Sequence, residues 1–131
     1  MIRLIAMLSI VALLAGFGIA EELYVQNVLG ALKTNAAQIE EMIIASDEET
    51  VSDPEITKKV DDTADFWDKN QRTLTFIVNF EKIKPITETL EKLKVAIGEE
   101  DYSLSIENAT LLRFYSEHLT FVMGSDITNI L

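Results

Sequence analysis

The chain has 131 residues, with 22 acidic and 11 basic side chains, one histidine and no cysteine. This length fits one small domain together with one membrane segment. Without a thiol, disulfide frameworks, thiolate metal sites and cysteine nucleophiles are excluded. With Arg3 set aside, residues 21–131 carry 10 basic and 22 acidic side chains, a net charge of −12. A domain this acidic is repelled by phosphate backbones, so we predict no nucleic-acid partner.

The N-terminal segment is apolar. Leu4 to Ala20 form a 17-residue run in which Ser9 is the only polar side chain. As a helix, this run reaches about 26 Å, near the short limit for crossing a bilayer. Arg3 precedes it and two glutamates follow it, which predicts a cytoplasmic N-terminus and a domain outside. We therefore predict a single-pass anchor over residues 1–22 of a bacterial cytoplasmic membrane protein, with residues 2–20 contacting lipid.

Two fates of this segment are open. Gly18 and Ala20 are small residues at −3 and −1 from Glu21, as at a signal-peptidase site, and cleavage there would release a soluble secreted bundle. However, apolar residues continue past Ala20 at alternating spacings of four and three, which predicts one continuous helix and favours a retained anchor. These positions are Val25, Leu29, Leu32, Ala36, Ile39 and Ile43.

Residues 23–131 read as a helical bundle. The predicted helices span about 23–45, 54–79, 84–97 and 102–123. Asp53-Pro54-Glu55 is typical of a helix start, and Pro85 fits the first turn of the third helix. Gly98 and Gly124 are expected to end the third and fourth helices, and Asp101 to cap the fourth.

Each predicted helix carries an apolar face, and no run alternates as a strand would. The loops are short, which favours antiparallel neighbours. The predicted fold class is all-α: an N-terminal transmembrane helix that continues into an antiparallel up-down helical bundle. The inward positions are Ile56, Val60, Thr63, Trp67, Asn70, Leu74 and Ile77 (second helix, widened by Phe66, Phe76, Val78 and Phe80); Ile83, Ile86, Leu90, Leu93 and Ile97 (third); and Leu104, Ile106, Ala109, Leu111, Leu112, Tyr115, Leu119 and Val122 (fourth).

The order of these features resembles a known family. It comprises a basic start and apolar helix, Trp67 in the second helix, Ile83 to Leu93 in the third, the acidic turn Glu99 to Tyr102, and the ending Asn129-Ile130-Leu131. Together they resemble the family called domain of unknown function 4363, small single-anchor helical proteins of Gram-positive bacteria. The resemblance implies the topology but no activity. This chain departs from it at Asn79-Phe80-Glu81, where a histidine is expected, and at Pro85.

The sequence offers little catalytic chemistry. His118 is the single histidine, no Ser-His-Asp set has a geometric basis, and no glycine-rich phosphate loop is present. We therefore predict no catalytic, cofactor or metal residues and a protein that is not an enzyme. Four aspartates cluster on the second helix, but calcium needs about six to eight oxygens, usually from a loop. A solvated face is the favoured reading of Asp61, Asp62, Asp65 and Asp68, and weak cation contact is the alternative.

Two helix faces are predicted partner surfaces. Small residues four apart on the anchor allow close helix approach in lipid. The first half of the heptad stripe must be covered, either by the chain's own domain or by a second copy. We therefore predict a non-enzymatic interaction module that binds a protein partner or itself. The residues of these faces are Ala12, Gly16 and Ala20 on the anchor, and Val25, Leu29 and Leu32 on the stripe.

A rival hypothesis is a sensory bundle that holds a small molecule or cation between its helices. Thr63 and Asn70 motivate it, because polar groups in a core require partners. The large aromatic residues are expected in the core, but an exposed Phe66 or Phe114 beside another apolar side chain would mark a partner surface. These aromatic residues are Phe66, Trp67, Tyr102, Phe114 and Tyr115.

Overall fold

The computed structural model describes residues 1–46 and 51–130, with side chains described up to residue 121. Over these ranges it consists of four α-helices and contains no strand: α1 (Ile2–Ala45), α2 (Pro54–Ile77), α3 (Phe80–Gly98) and α4 (Tyr102–Ile130). Both α1 and α3 pack against α2 and α4, so the helices close into a four-sided bundle. The predicted all-α helical bundle is confirmed.

The first helix runs without interruption from the apolar segment into the bundle. All six positions of its predicted stripe, from Val25 to Ile43, are buried. The chain's own α2 and α4 lie against α1. The helix ends at Ala45, where Ser46 adopts extended backbone and donates its hydroxyl to the carbonyl of Ile43 at 2.6 Å.

The second helix begins as predicted. The side chain of Asp53 accepts a 2.8 Å hydrogen bond from the amide of Glu55, and Pro54 occupies the first helical position. Such a cap satisfies an amide that has no partner within the helix. The helix ends at Ile77, two residues earlier than predicted, because Val78 takes an extended conformation and turns its side chain into the core.

The third helix begins at Phe80, four residues earlier than predicted. Asn79 caps it by accepting a 3.0 Å hydrogen bond from the amide of Glu81. Pro85 therefore lies in the second turn, and the prediction that it marks the first turn was wrong. A proline there leaves the carbonyl of the residue four positions earlier without its helical donor. That residue is Glu81, which is exposed, so water can reach this part of the helix.

The fourth helix starts as predicted, but it ends later. The carboxylate of Asp101 accepts from the amide of Leu104 at 3.1 Å. The helix continues through Gly124 to Ile130, so the predicted end at 123 was wrong. Glycine lowers helix propensity by about 1 kcal/mol, but it ends a helix reliably only where the backbone turns left-handed. In the described chain only Glu100, in the turn before α4, has such a backbone, with φ of 57°.

The inward face of α4 also differs from prediction. Leu104 is 44% exposed, whereas Ser105, Asn108 and Ser116 are buried. Each of these three donates to a carbonyl one turn earlier, at 2.6, 2.8 and 2.7 Å. The polar side chains therefore enter the core without an unpaired donor.

The α2–α3 turn contains a second difference. Phe76 and Phe80 were expected to widen the apolar face of α2. Instead Phe76 is 90% exposed and Phe80 is 46% exposed, while Val78 between them is buried. The early end of α2 explains the exposure of Phe80, because the extended backbone at Val78 changes the direction of the chain before it. Phe76 still lies within α2, on a face of the helix that the rest of the bundle leaves uncovered. The turn thus presents two aromatic side chains to the surroundings.

Candidate membrane segment and partner surfaces

The apolar half of α1 projects from the bundle. Every residue from Met1 to Ala20 is exposed, including large aliphatic side chains and Phe17. Over the described chain, α1 is the one helix long and apolar enough to cross a membrane, and none of its most apolar stretch is buried. Such a helix near an N-terminus is typical of a membrane anchor and also of a cleavable signal sequence. The anchor over residues 1–22 therefore stays a prediction.

The small-residue face of the apolar segment is open. Ala12, Gly16 and Ala20 are all exposed on this projecting segment. A Cβ atom added to Gly16 would meet nothing within 4 Å, and the same holds for Gly18 on a different face. The face is therefore free for another helix to approach closely, as the spacing predicts.

The stripe residues lie elsewhere. Val25, Leu29 and Leu32 are buried in the core of the same chain. The sequence left open whether the chain's own domain or a second copy covers this stripe. In the structure, the chain's own domain covers it. A partner would reach these three side chains only if the bundle opened.

An exposed aromatic row lies on α4. Phe114 is 55% exposed and Phe121 is 73% exposed. Between them His118 is also exposed, and its ring stacks on that of Phe114 with centroids 5.9 Å apart and planes inclined by 6°. These positions are separated by four and three residues, so they share one face of the helix. The expectation that Phe114 lies in the core was wrong, because the bundle already covers α4 through the opposite face.

Tyr115 and Phe66 behave differently from Phe114. Both are partly buried and pack against the core. The ring of Tyr115 meets that of Phe114 edge-on, with centroids 5.9 Å apart. Tyr115 thereby connects the exposed row to the interior of the bundle. The aromatic row is therefore in contact with the core of the bundle through Tyr115.

The polar seam residues of α2 find partners inside the chain. Thr63 donates to the carbonyl of Lys59 at 2.7 Å, and the indole N–H of Trp67 donates to the Thr87 hydroxyl at 2.9 Å. Asn70 donates to the carbonyl of Phe66 at 2.8 Å and accepts from the hydroxyl of Tyr24 at 2.7 Å. Within the described chain, no buried side-chain nitrogen or oxygen lacks a hydrogen bond. Thr63 and Asn70, which motivated the hypothesis of a bound ligand, therefore have their hydrogen-bond partners within the chain.

The acidic face of α2 is solvated. Asp61, Asp62, Asp65 and Asp68 are all exposed, and Asp61 lies 3.9 Å from the ammonium group of Lys94 on α3. In the ranges that the structure describes, no group of three or more histidine, aspartate or glutamate side chains is arranged to hold a metal ion.

One charged pair joins α1 and α4. Nε of Arg113 donates to Oε2 of Glu40 at 2.9 Å, and a second nitrogen of Arg113 lies 3.4 Å from Glu117. The hydrogen bond and the charge of Glu40 raise the pKa of Arg113 above its ordinary value. Both partners of the shorter pair are largely covered, with side-chain exposures of 34% and 19%. Arg113 is therefore held as a cation at the packed face of α4.

The chain matches the sequence model of one protein family. No curated protein and no solved structure matches the chain significantly. The sequence model of the family described as domain of unknown function (DUF4363) matches residues 20–130. The match thus covers the helical bundle and begins at residue 20, where the apolar segment ends. Because it spans most of the chain, the protein belongs to the family of domain of unknown function 4363.

Proposed function

We propose that this protein is a non-enzymatic interaction module, tethered by its apolar helix to the outer face of a bacterial cytoplasmic membrane. The observation that carries the proposal is the continuity of α1, whose exposed apolar half and buried second half form one helix. A tether that is part of the core fixes the bundle directly above the bilayer. Helical continuity across Ala20 and Glu21 supports retention of the segment over cleavage.

The interaction role is supported by the aromatic row on α4, formed by Phe114, His118 and Phe121. Exposed aromatic residues that share a helix face are enriched at protein interfaces, because they supply large rigid contact area. The small-residue face of the anchor, Ala12, Gly16 and Ala20, offers a second contact within lipid. The partner in this proposal is another protein or a second copy of the chain.

Fractionation in a Gram-positive host tests the tether. We expect a full-length mass in the membrane fraction and digestion of the bundle by protease added to protoplasts. A secreted species that begins at Glu21 would overturn the tether and establish the alternative of a soluble bundle. Protection of the bundle from external protease would overturn the outward orientation.

Photocrosslinking in cells tests the partner surface. A crosslinking amino acid at Phe114 or Phe121 is expected to give a discrete adduct whose mass distinguishes a second copy from another protein. The control is the same amino acid at Asp65, an exposed position on α2 away from the aromatic row. Equal adducts at position 65 and on the row, or none at either, would contradict an interface on α4.

A further inference from the structure

The α2–α3 turn lies at the end of the bundle from which the apolar segment projects. Two cross-helix hydrogen bonds fix this: Lys59 donates to Asn35 at 2.9 Å, and Tyr24 donates to Asn70 at 2.7 Å. Residue numbers fall along α1 as they rise along α2, so the two helices run antiparallel. The C-terminal end of α2 therefore points towards the N-terminal half of α1.

The turn reaches the level of the apolar segment itself. Phe76 is six residues beyond Asn70, and a helix rises 1.5 Å per residue, so it lies about 9 Å further along the axis. Counted back along α1 from Tyr24, this level corresponds to about residue 18. That position is within the exposed apolar run that ends at Ala20. The α2–α3 turn and the end of the apolar run are therefore at the same height along the axis of α1.

The side chains at this level suit a membrane interface. Phe76 is almost fully exposed and Phe80 is half exposed, and buried Val78 fixes the turn between them. A single exposed aromatic residue on a soluble domain needs no explanation. A pair on one short turn, beside an apolar helix of membrane-spanning length, lies where aromatic side chains are favoured at the boundary between head groups and hydrocarbon.

The charge of this end differs from that of the rest of the domain. Residues 69–85 contain four basic side chains and one acidic one, whereas the remainder of residues 21–131 contains six basic and 21 acidic. The four are exposed, and Lys84 also lies 3.9 Å from Glu88. Basic side chains near a bilayer are attracted to anionic lipid, which offsets the repulsion of Glu21 and Glu22 at the same level. The four are Lys69, Arg72, Lys82 and Lys84.

We propose that the α2–α3 turn is a second membrane contact, in which Phe76 and Phe80 enter the head-group region of an anionic bilayer beneath the basic side chains. This inference rests on the proposed tether. With two contacts, the anchor helix and the turn, the bundle is held at a fixed tilt rather than swinging about α1. The aromatic row on α4 is then presented in one orientation to whatever binds it.

The absence of cysteine makes a direct test simple. Single cysteines at Ile10, Thr75 and Val95 are labelled with an environment-sensitive fluorophore in the full-length protein. The protein is reconstituted in vesicles of phosphatidylethanolamine and phosphatidylglycerol, with or without nitroxide-labelled lipids. The nitroxide is placed near the head group for the probes at 75 and 95, and on the acyl chain for the probe at 10. Ile10 reports the anchor, exposed Thr75 reports the turn, and Val95, exposed near the opposite end of α3, is the matched control.

We expect the probe at 75 to be quenched several-fold more than the probe at 95. Replacement F76S in the Thr75 variant should remove most of that difference, because Phe76 contacts little of the bundle and its loss leaves the fold unchanged. If the probe at 10 is quenched but the probe at 75 behaves like that at 95, the second contact is overturned and the tether stands. If the probe at 10 is not quenched either, the tether fails and the second contact fails with it. Unchanged quenching in the F76S variant would also overturn the proposal.

Discussion

Arg113 on α4 and Glu40 on α1 form a cross-helix ion pair, with Nε and Oε2 2.9 Å apart and most of both side chains covered. Its contribution is measured by a double-mutant cycle with R113Q, E40Q and the double variant. We expect a coupling energy of about 0.5–1 kcal/mol. Fully exposed ion pairs contribute less than about 1 kcal/mol to stability, and this partly buried pair is expected in the upper part of that range. The free energy of unfolding of the full-length protein in detergent is the readout.

The pH dependence of this pair has a defined sign. The folded-state pKa of Arg113 is raised, so its stabilisation is fully present below the unfolded-state pKa and is lost as the pH rises through the folded-state value. Both values lie in strongly alkaline solution. Titration of Arg113 should therefore not change stability near neutral pH, whereas high salt should reduce the coupling. A coupling that is zero at low salt would show that the contact does not stabilise the pairing of α1 and α4.

The hydrogen bond between Trp67 and Thr87 joins α2 to α3. The indole N–H of Trp67 is buried and donates to the hydroxyl of Thr87 on α3. The substitution T87V keeps the shape of the side chain but leaves the buried donor without a partner, which costs about 1–3 kcal/mol. Urea unfolding followed by the fluorescence of this single tryptophan gives the value directly.

The control for this experiment is T75V. Thr75 is exposed, and its hydroxyl donates only to the carbonyl of Arg72 in its own helix. We expect this change to alter the free energy of unfolding by less than about 0.5 kcal/mol. Equal losses for T87V and T75V would mean that the Trp67 hydrogen bond contributes nothing specific.

Leu32 tests the assignment of the heptad stripe to the core. It is fully buried in the chain's own bundle. We expect L32A to destabilise the protein by about 2–5 kcal/mol through loss of burial and creation of a cavity. Leu23, which is exposed on the same helix, provides the matched variant, and L23A should have little effect on unfolding in detergent. A stable L32A variant that loses crosslinking to a partner would show that the stripe contacts that partner.

Helix periodicity was sufficient to predict much of this fold. The spacing from Val25 to Ile43 gives a buried stripe wherever a helix must hide one face, and Asp53 and Asp101 cap helices because free amides need acceptors. Pro85 was misleading, because a proline in the second turn costs one hydrogen bond that solvent can replace at an exposed carbonyl. Sequence alone does not state whether that carbonyl is exposed.

The surface features were harder to predict. Ser105 and Ser116 are polar, yet both are buried, since each hydroxyl donates to the carbonyl four residues earlier in the chain. Phe76 and Phe114 look like core residues, yet both are exposed. Burial of an apolar residue depends on which face the neighbouring helices cover, and that is set by the packing of all four helices. The position of Phe76 beside the apolar segment follows from the register of α1 and α2, which the Tyr24–Asn70 and Asn35–Lys59 hydrogen bonds show.

The small-residue face of the apolar segment can be tested as a contact between two copies of the chain. If Ala12, Gly16 and Ala20 mediate close approach of two anchors, a bulky side chain at the central position should separate them. We expect G16I to abolish most disulfide crosslinking between cysteines placed at Ser9 in membranes. Because a Cβ at Gly16 meets nothing within 4 Å, the bundle should unfold at the same urea concentration as the unsubstituted protein.

G18I is the matched control for this prediction. Gly18 is equally open and equally within the apolar run, but it lies about 200° around the helix from Gly16. Both substitutions add the same apolar volume, so a general effect of bulk on membrane insertion would reduce crosslinking equally in both variants. Loss of crosslinking in G16I alone would locate the contact on the small face. Crosslinking that survives G16I would show that the helices approach each other without the small face, and would contradict this prediction.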